Sequence, residues 1–194
     1  LVEDYEYWLR ILFQYKNIGY INKVLYIYRN QSQSLTATRM KEILYNKSRL
    51  RIRYIMNILD GLQNREDLLC GMYLEVKKNY PLTKEIEYML KKEIKCLSII
   101  CEGNVSGKVI VYGAGKMGKE FLKEYKENIV CFVDKDIQKA YTKIDGIDVL
   151  PLAKINEIKE KESCDIVIAA GEEKIYSFLC SLNKMGIKSC YVYY

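Results

Sequence analysis

Short apolar runs alternate with amphipathic stretches through the carboxy-terminal part of the chain. Runs of strand length are followed by segments with helical periodicity, a pattern typical of βα units. The pattern predicts strands over 108–112, 129–134, 147–150, 165–170 and 188–193, and helices over 116–126, 152–161 and 173–185. Because strands that alternate with helices form a parallel sheet covered on both faces, residues 108–194 are predicted to have an α/β fold.

The amino-terminal part has a different pattern. An amphipathic helix is predicted over 4–16, where Tyr5, Trp8, Leu12 and Tyr15 recur at helical spacing. Two short strands are predicted over 18–21 and 24–29. Helical periodicity then runs from 39 to about 101 as three helices, with breaks near Gly61 and at 79–81. A polar linker at 103–107 separates this helical segment from the sheet, so we expect domains over 1–38, 39–103 and 108–194.

Composition narrows the classes of function. The hydrophobic fraction of 49% is ample for a packed core, and the absence of histidine excludes Ser-His-Asp catalysis and histidine metal sites. Seven cysteines without a C-x-x-C pair favour a reducing cytosol and argue against zinc. No apolar run has the length of a bilayer span and no signal peptide is visible, so we expect a soluble, cytoplasmic protein. Because the chain begins at Leu1, we also expect it to be a piece of a longer protein.

A glycine-rich turn carries the clearest chemical signal. The strand over 108–112 leads into a G-x-G-x-x-G pattern that opens a helix, made of Gly113, Ala114, Gly115, Lys116, Met117 and Gly118. In such a turn the first glycine allows the tight bend, the second lets phosphates approach the backbone, and the third lets helix and strand pack closely. Asp134 ends the next strand, where a carboxylate can accept a hydrogen bond from a ribose hydroxyl. Two interpretations stay open: a nucleotide site, or glycines that only form the turn while Asp134 caps the turn after it.

The segments VIVYGAGKMGKEFL, IVCFVDKD, IDGIDVLPLAKI and DIVIAAG resemble the small Rossmann-like domains found beside sugar-modifying enzymes. These include the amino-terminal domain of sialic-acid-type O-acyltransferases and epimerase-like modules. The resemblance implies a small Rossmann-like parallel sheet, and NAD(P) or a nucleotide-sugar as its ligand. The Tyr-x-x-x-Lys pairs of this chain, at Tyr73 and Tyr112, are not downstream of the glycines, so we expect binding without hydride transfer.

The opening run VEDYEYWLRILFQYKNIGYINKVLYIYRNQSQSLT resembles the closing part of a family 2 glycosyltransferase of the GT-A fold. The residues that match in order are Glu3, Asp4, Trp8, Arg10, Gly19, Tyr26, Tyr28, Arg29, Ser34 and Thr36. The resemblance implies a bacterial glycosyltransferase of surface-polysaccharide synthesis.

The same resemblance implies roles for the acidic pair. Asp4 is then the general base that deprotonates the acceptor hydroxyl, and Glu3 supports it. The alternative for both residues is a purely structural role, since acidic side chains stabilise the positive amino terminus of a helix. The family's Asp-x-Asp metal site, which binds Mg²⁺ or Mn²⁺, has no equivalent here, because Asp134-Lys135-Asp136 lies in the Rossmann-like segment. We therefore expect no sugar transfer from these 194 residues alone.

The helical segment suggests one further partner. Residues 39–58 contain six basic side chains and one acidic side chain, Glu42. The basic side chains lie beside an apolar stripe. Such a helix can lie on the inner face of an anionic membrane, although the solvated face of a packed helix is the simpler explanation of the pattern. No nucleic-acid-binding module is recognisable, so we expect no nucleic-acid partner. The oligomeric state is not predicted.

Overall fold

The computed structural model describes residues 2–15, 19, 22–23, 34, 38–62 and 64–194. The strands predicted over 18–21 and 24–29 lie outside these residues except at Gly19, and so do Tyr26, Tyr28, Arg29 and Thr36. The contacts divide the chain into two compact units. The first comprises Leu1–Arg65 and Met72–Lys84, and the second comprises Glu66–Gly71 and Glu85–Tyr194.

The described helices before the sheet are more numerous than the sequence predicts. After α1 (Glu3–Tyr15), the segment expected to hold three helices holds four, followed by a 3₁₀ turn at Lys95–Ile99. These are α2 (Met40–Arg53), α3 (Ile55–Gly61), α4 (Glu66–Asn79) and α5 (Lys84–Glu93). The unpredicted break is at Tyr54, whose φ of −104° and ψ of 17° leave the helical region without a glycine or proline to mark it.

The core of the first unit uses only part of the aromatic stripe of α1: Tyr5 packs against this core, but the other three residues of the stripe are exposed. Val2 and Leu9 are buried with Ile43 and Leu50 of α2, while Trp8 is 58% exposed. Leu12 and Tyr15 are exposed as well. The choice of face depends on where α2 packs, and aromatic periodicity in α1 cannot supply that information.

A six-stranded sheet forms the centre of the second unit, in the order β3-β4-β2-β1-β5-β6. Its strands are β1 (Val109–Tyr112), β2 (Ile129–Asp134), β3 (Lys143–Ile144), β4 (Ile147–Pro151), β5 (Asp165–Ala169) and β6 (Tyr191–Tyr193). All pairs are parallel except β3 with β4, which form an antiparallel hairpin. The predicted α/β class and Rossmann-like sheet are confirmed, and β3 is an addition that the sequence pattern does not predict.

Helices cover both faces of this sheet: α6 (Lys116–Tyr125), α7 (Ile155–Glu162) and α8 (Glu172–Lys184). On one face Val111 packs with Phe121 of α6 and Phe132 of β2. On the other face Tyr112 stacks on Phe178 of α8, with ring centroids 4.2 Å apart. Since successive side chains of a strand point to opposite faces, β1 is buried on both sides and needs its continuous apolar sequence.

The strand order reverses at β1, because the chain leaves β1 towards β2 on one side and returns to β5 on the other. Crossover helices start on opposite faces at such a point, which opens a crevice at the carboxyl ends of the two strands. The glycine turn follows β1 directly, so the fold places it at this crevice.

Candidate functional site

The first glycine of the turn is required by the fold. Gly113 has a φ of +120°, and a Cβ atom built on it would lie 2.3 Å from the main-chain oxygen of Ala169 at the end of β5. Its N–H donates to the oxygen of Val133, 2.9 Å away. Both neighbours of β1 therefore hold the turn in place, and no side chain fits at this position.

The third glycine allows α6 to lie against the turn. A Cβ atom on Gly118 would be 2.0 Å from the main-chain oxygen of Gly113 and 3.4 Å from Cε1 of Phe132. A methyl group there would collide with backbone, so the helix would have to move. Gly118 thus fixes the distance between α6 and the end of β1.

The second glycine differs from the other two. Among the residues that the structure describes, nothing lies within 4 Å of a Cβ atom on Gly115, so none of them requires glycine here. Gly115 is the N-cap of α6, and within the described part of the chain no side chain caps that end of the helix. The start of α6 therefore presents main-chain N–H groups to open space, with the partial positive charge of a helix amino terminus.

Asp134 lies at the end of β2 and holds the glycine turn from the side. Its Oδ2 accepts from the N–H of Ala114 at 2.9 Å and from Nζ of Lys139 at 3.2 Å. Its Oδ1 accepts from the N–H of Asp136 at 2.9 Å. Only 8% of the residue is exposed. The carboxylate is thus turned towards the protein, and the predicted contact with a ribose hydroxyl stays a prediction.

These donors also control the charge of Asp134. Burial alone would raise the pKa of the carboxyl group, but hydrogen bonds from the N–H groups of Asp136 and Ala114 and from Lys139 outweigh burial and lower the pKa. Asp134 is therefore ionised at neutral pH and pairs with Lys139 at the rim of the crevice.

A cleft of about 620 Å³ opens at the carboxyl ends of β1, β2 and β5. It brings together most of the residues predicted from the glycine pattern with others that sequence reasoning missed. The lining residues are Gly113, Gly115, Lys116, Met117, Asp134, Lys135, Asp136, Lys139, Ala169, Ala170, Gly171, Glu173, Lys174 and Phe178. Of the predicted set, Gly118 and Ala114 act from behind this surface, through the close packing and the hydrogen bond described above.

The missed residues follow β2 and β5. Lys139 lies beyond Asp134 in the chain, and Glu173 and Lys174 open α8 after β5. The sequence contained a signal for Glu173 and Lys174. The carboxyl ends of parallel strands lie at one edge of a sheet, so the polar run after DIVIAAG is expected at the same edge as the glycine turn. The strand order, which tells which carboxyl ends are neighbours, was needed to use it.

One wall of the cleft is built around Phe178. Nζ of Lys135 lies 5.6 Å from the centre of the Phe178 ring and donates to the main-chain oxygen and Oγ of Ser177, at 3.3 and 3.2 Å. The Phe178 ring also stacks on the ring of Tyr112. Tyr112 is fully buried, and burial raises the pKa of its hydroxyl. That hydroxyl is therefore unsuited to proton exchange with a ligand in the cleft.

The acidic pair predicted from the glycosyltransferase resemblance begins α1 in the first unit. Glu3 and Asp4 are both exposed, and Oδ1 of Asp4 accepts from the N–H of Tyr5 at 2.8 Å. Over the described residues, no group of three or more acids or cysteines is arranged to hold a metal ion. The catalytic roles of Glu3 and Asp4, and the use of Mg²⁺ or Mn²⁺, stay predictions.

The basic face of the helical segment is partly occupied by ion pairs within the first unit. Arg51 pairs with Glu75 and donates from Nε to the Tyr5 hydroxyl at 3.1 Å, and Arg53 pairs with Glu6 at 3.2 Å. None of the described helices is both long and apolar enough to cross a bilayer. Contact of residues 39–58 with a membrane surface stays a prediction.

One family model matches part of the second unit. Residues 105–188, less than half of the chain, match the family model described as C2185-like, N-terminal. No curated protein matches.

Solved structures give weak likenesses. UDP-D-quinovosamine 4-dehydrogenase from Vibrio fischeri is 17% identical, with 43% of this chain and 74% of that chain covered and a TM-score of 0.37. RSP, a Rex-family repressor, is 13% identical in its complex with β-NADH, covering 85% and 82% of the two chains at a TM-score of 0.37. RSP bound to β-NAD⁺ and operator DNA is 12% identical, with 84% of this chain and 80% of that chain covered and a TM-score of 0.35. The Rossmann-like fold of the second unit is recognised from its own strand order.

Proposed function

We propose that the Rossmann-like unit binds a nucleotide, with its phosphates at Gly115 and the first turn of α6. The observation that carries the proposal is the difference among the three glycines. Protein atoms exclude a side chain at Gly113 and Gly118, whereas a Cβ at Gly115 would enter only the open cleft. Empty space in front of uncapped main-chain N–H groups suits an anionic ligand that approaches the backbone closely.

The surroundings support a phosphate-bearing ligand. Lys116 lines the cleft at the start of α6 and adds positive charge to that end of the helix, while Lys139 is paired with Asp134 and Asp136. The volume of about 620 Å³ lies within the range of pockets that hold nucleotide-sized molecules. NAD(P) and nucleotide-sugars, the ligands implied by the resemblance to sugar-modifying enzymes, are the candidates.

Binding can be tested by the melting temperature and by titration calorimetry with NAD⁺, NADP⁺, UDP-glucose and coenzyme A. A ligand at a concentration of about 100 Kd stabilises a protein by about 2.7 kcal/mol. We expect one class of nucleotide to raise the melting temperature of the wild type and to lose its effect on Gly115→Val.

Gly107→Val is the matched control, because Gly107 is also unobstructed but does not line the cleft. The control should respond to nucleotide as the wild type does. Equal binding by the wild type and Gly115→Val would contradict the proposed phosphate position.

We further propose that the chain is the carboxy-terminal portion of a bacterial glycosyltransferase of surface-polysaccharide synthesis. The support is the ordered match of the opening run to family 2 glycosyltransferases, in which Asp4 takes the role of general base. The test is sugar transfer by the complete encoded protein with Mg²⁺ or Mn²⁺. Asp4→Asn should abolish transfer while the exposed Glu42→Gln leaves it unchanged; equal activity of the two variants would contradict the role of Asp4.

The competing proposal is a binding module that regulates or docks a partner without catalysis. It is favoured by the residues of the cleft, since the described lining includes lysines and carboxylates but no tyrosine for hydride-linked proton transfer. Steady oxidation or reduction of the nicotinamide by the purified chain would contradict this reading.

A further inference from the structure

Glu173 presents a carboxylate to the cleft, which Asp134 and Asp136 also line. It lies in the first turn of α8, and its two carboxylate oxygens are 2.6 and 2.7 Å from the position that a Cβ on Gly171 would occupy. The absence of a side chain at Gly171 therefore leaves room for this carboxylate beside the backbone. Since β2 and β5 pair with opposite edges of β1, Glu173 and Asp134 reach the cleft from opposite sides.

The two carboxylates differ in how their oxygens are used. Asp134 is 8% exposed and accepts from two main-chain N–H groups and from Lys139. Glu173 is exposed, and over the described part of the chain it has no hydrogen-bond or ion-pair partner. Asp136, the remaining carboxylate of the lining, accepts from the N–H of Gln138 at 3.0 Å and lies 3.9 Å from Nζ of Lys139. Of the three carboxylates, Glu173 therefore has the oxygens that are most open to a ligand.

The charges around the cleft are arranged in two regions. On one side the start of α6 and Lys116 favour phosphate, while the charge of Lys139 is balanced by Asp134 and Asp136. On the other side Glu173 places its carboxylate at the start of α8, where the negative charge opposes a second phosphate. Lys174 also lines this side, while Lys135 is held by Ser177.

We propose that Glu173 determines ligand specificity by accepting hydrogen bonds from vicinal hydroxyls of a sugar in the bound nucleotide. The proposal rests on the nucleotide site proposed above and names the part of the ligand that lies towards α8. An ionised carboxylate is an acceptor with two oxygens, so it matches a pair of neighbouring hydroxyl donors. The hydroxyls belong either to the ribose or to a hexose attached through the diphosphate.

Calorimetry with matched ligands tests the proposal on the whole chain. ADP and UDP are compared with 2′-deoxy-ADP and 2′-deoxy-UDP to test the ribose, and UDP-glucose is compared with UDP to test the hexose. We expect the wild type to prefer the ligand with the hydroxyls by about tenfold in one of these comparisons, as one charge-assisted hydrogen bond allows. Glu173→Ala should remove that preference and leave the affinity for the ligand that lacks the hydroxyls unchanged.

Glu172→Gln is the matched control, because it removes a charge from the same helix end at a residue that does not line the cleft. The control should keep the wild-type preference. A wild type that binds nucleotides without any such preference, or a preference that survives Glu173→Ala, overturns the role of Glu173 alone. Failure of the wild type to bind any of these nucleotides overturns the proposed function and this inference together.

Discussion

The Asp134 carboxylate accepts a hydrogen bond of 2.9 Å from the main-chain N–H of Ala114, a residue inside the glycine turn. The bond ties the end of β2 to the loop after β1, which are adjacent in the sheet and 20 residues apart in sequence. Asp134 therefore shapes the surface on which we place the phosphates, whether or not it touches a ligand.

Removing the charge of Asp134 should destabilise the Rossmann-like unit. Asp134→Asn weakens the bonds to Ala114 and Lys139 within a nearly buried site, and we expect a loss of about 1–3 kcal/mol in the free energy of unfolding. Urea denaturation followed by circular dichroism measures this loss. The control, Asp136→Asn, alters a half-exposed side chain and should cost less than about 0.5 kcal/mol. Similar losses in the two variants would argue against a special role for Asp134.

The free energy of unfolding should depend on pH through the ionisation of the Asp134 carboxylate. The pKa of Asp134 is lower in the folded protein than its ordinary value, so its contribution is present above the unfolded pKa of about 3.9. The contribution is lost as the pH falls through the lower folded pKa. We expect the difference in unfolding free energy between wild type and Asp134→Asn to be constant near neutral pH and to shrink below about pH 4. A difference that grows as the pH falls has the wrong sign for this explanation.

Alanine substitutions at the three glycines of the turn should have different effects: those at Gly113 and Gly118 should lower stability, and that at Gly115 should lower nucleotide affinity. Alanine at Gly113 meets both an unfavourable φ of +120° and the Ala169 oxygen, and alanine at Gly118 meets the oxygen of Gly113. We expect each change to cost about 2 kcal/mol or more in unfolding free energy.

Alanine at Gly115 meets no protein atom, so its cost should be only that of a poorer N-cap, about 1 kcal/mol or less. Its effect should appear instead in nucleotide affinity. Denaturation and calorimetry on the three single variants make the comparison. A Gly115→Ala protein as unstable as Gly113→Ala would show that protein packing, and not ligand access, requires glycine at 115.

Arg51 should stabilise the first unit more than the exposed cations of α2 do. Its guanidinium pairs with Glu75 and contacts the Tyr5 hydroxyl, and only 21% of its side chain is exposed. Arg51→Ala leaves Glu75 without this partner, and we expect a loss of about 1–3 kcal/mol in unfolding free energy. The exposed Arg49→Ala, in the same helix, should lie within about 0.5 kcal/mol of the wild type. Protection of α2 amides from hydrogen exchange reports the loss locally, and unchanged protection in Arg51→Ala would contradict it.

Much of the second unit could be predicted because its signals are local. The continuous apolar run of β1, the periodicity of α6 and the spacing of Gly113, Gly115 and Gly118 lie within a few residues of one another. The hairpin strand β3 was missed because its two residues, Lys143 and Ile144, are too few to show a period. The spacing in α1 indicated an amphipathic helix, but it could not tell that Leu9 packs against α2 while Trp8 is exposed.

The amino-acid sequence alone determined that the carboxy-terminal unit is an α/β sheet with a glycine turn after its first strand, because backbone sterics and hydrophobic periodicity act over short distances. Only the tertiary structure decided that Asp134 turns inward to Ala114, that Glu173 lies in the same cleft, and that Gly115 alone among the turn glycines borders open space. These facts depend on which strand ends are neighbours and on what occupies the space between them, and both are settled when distant segments pack together.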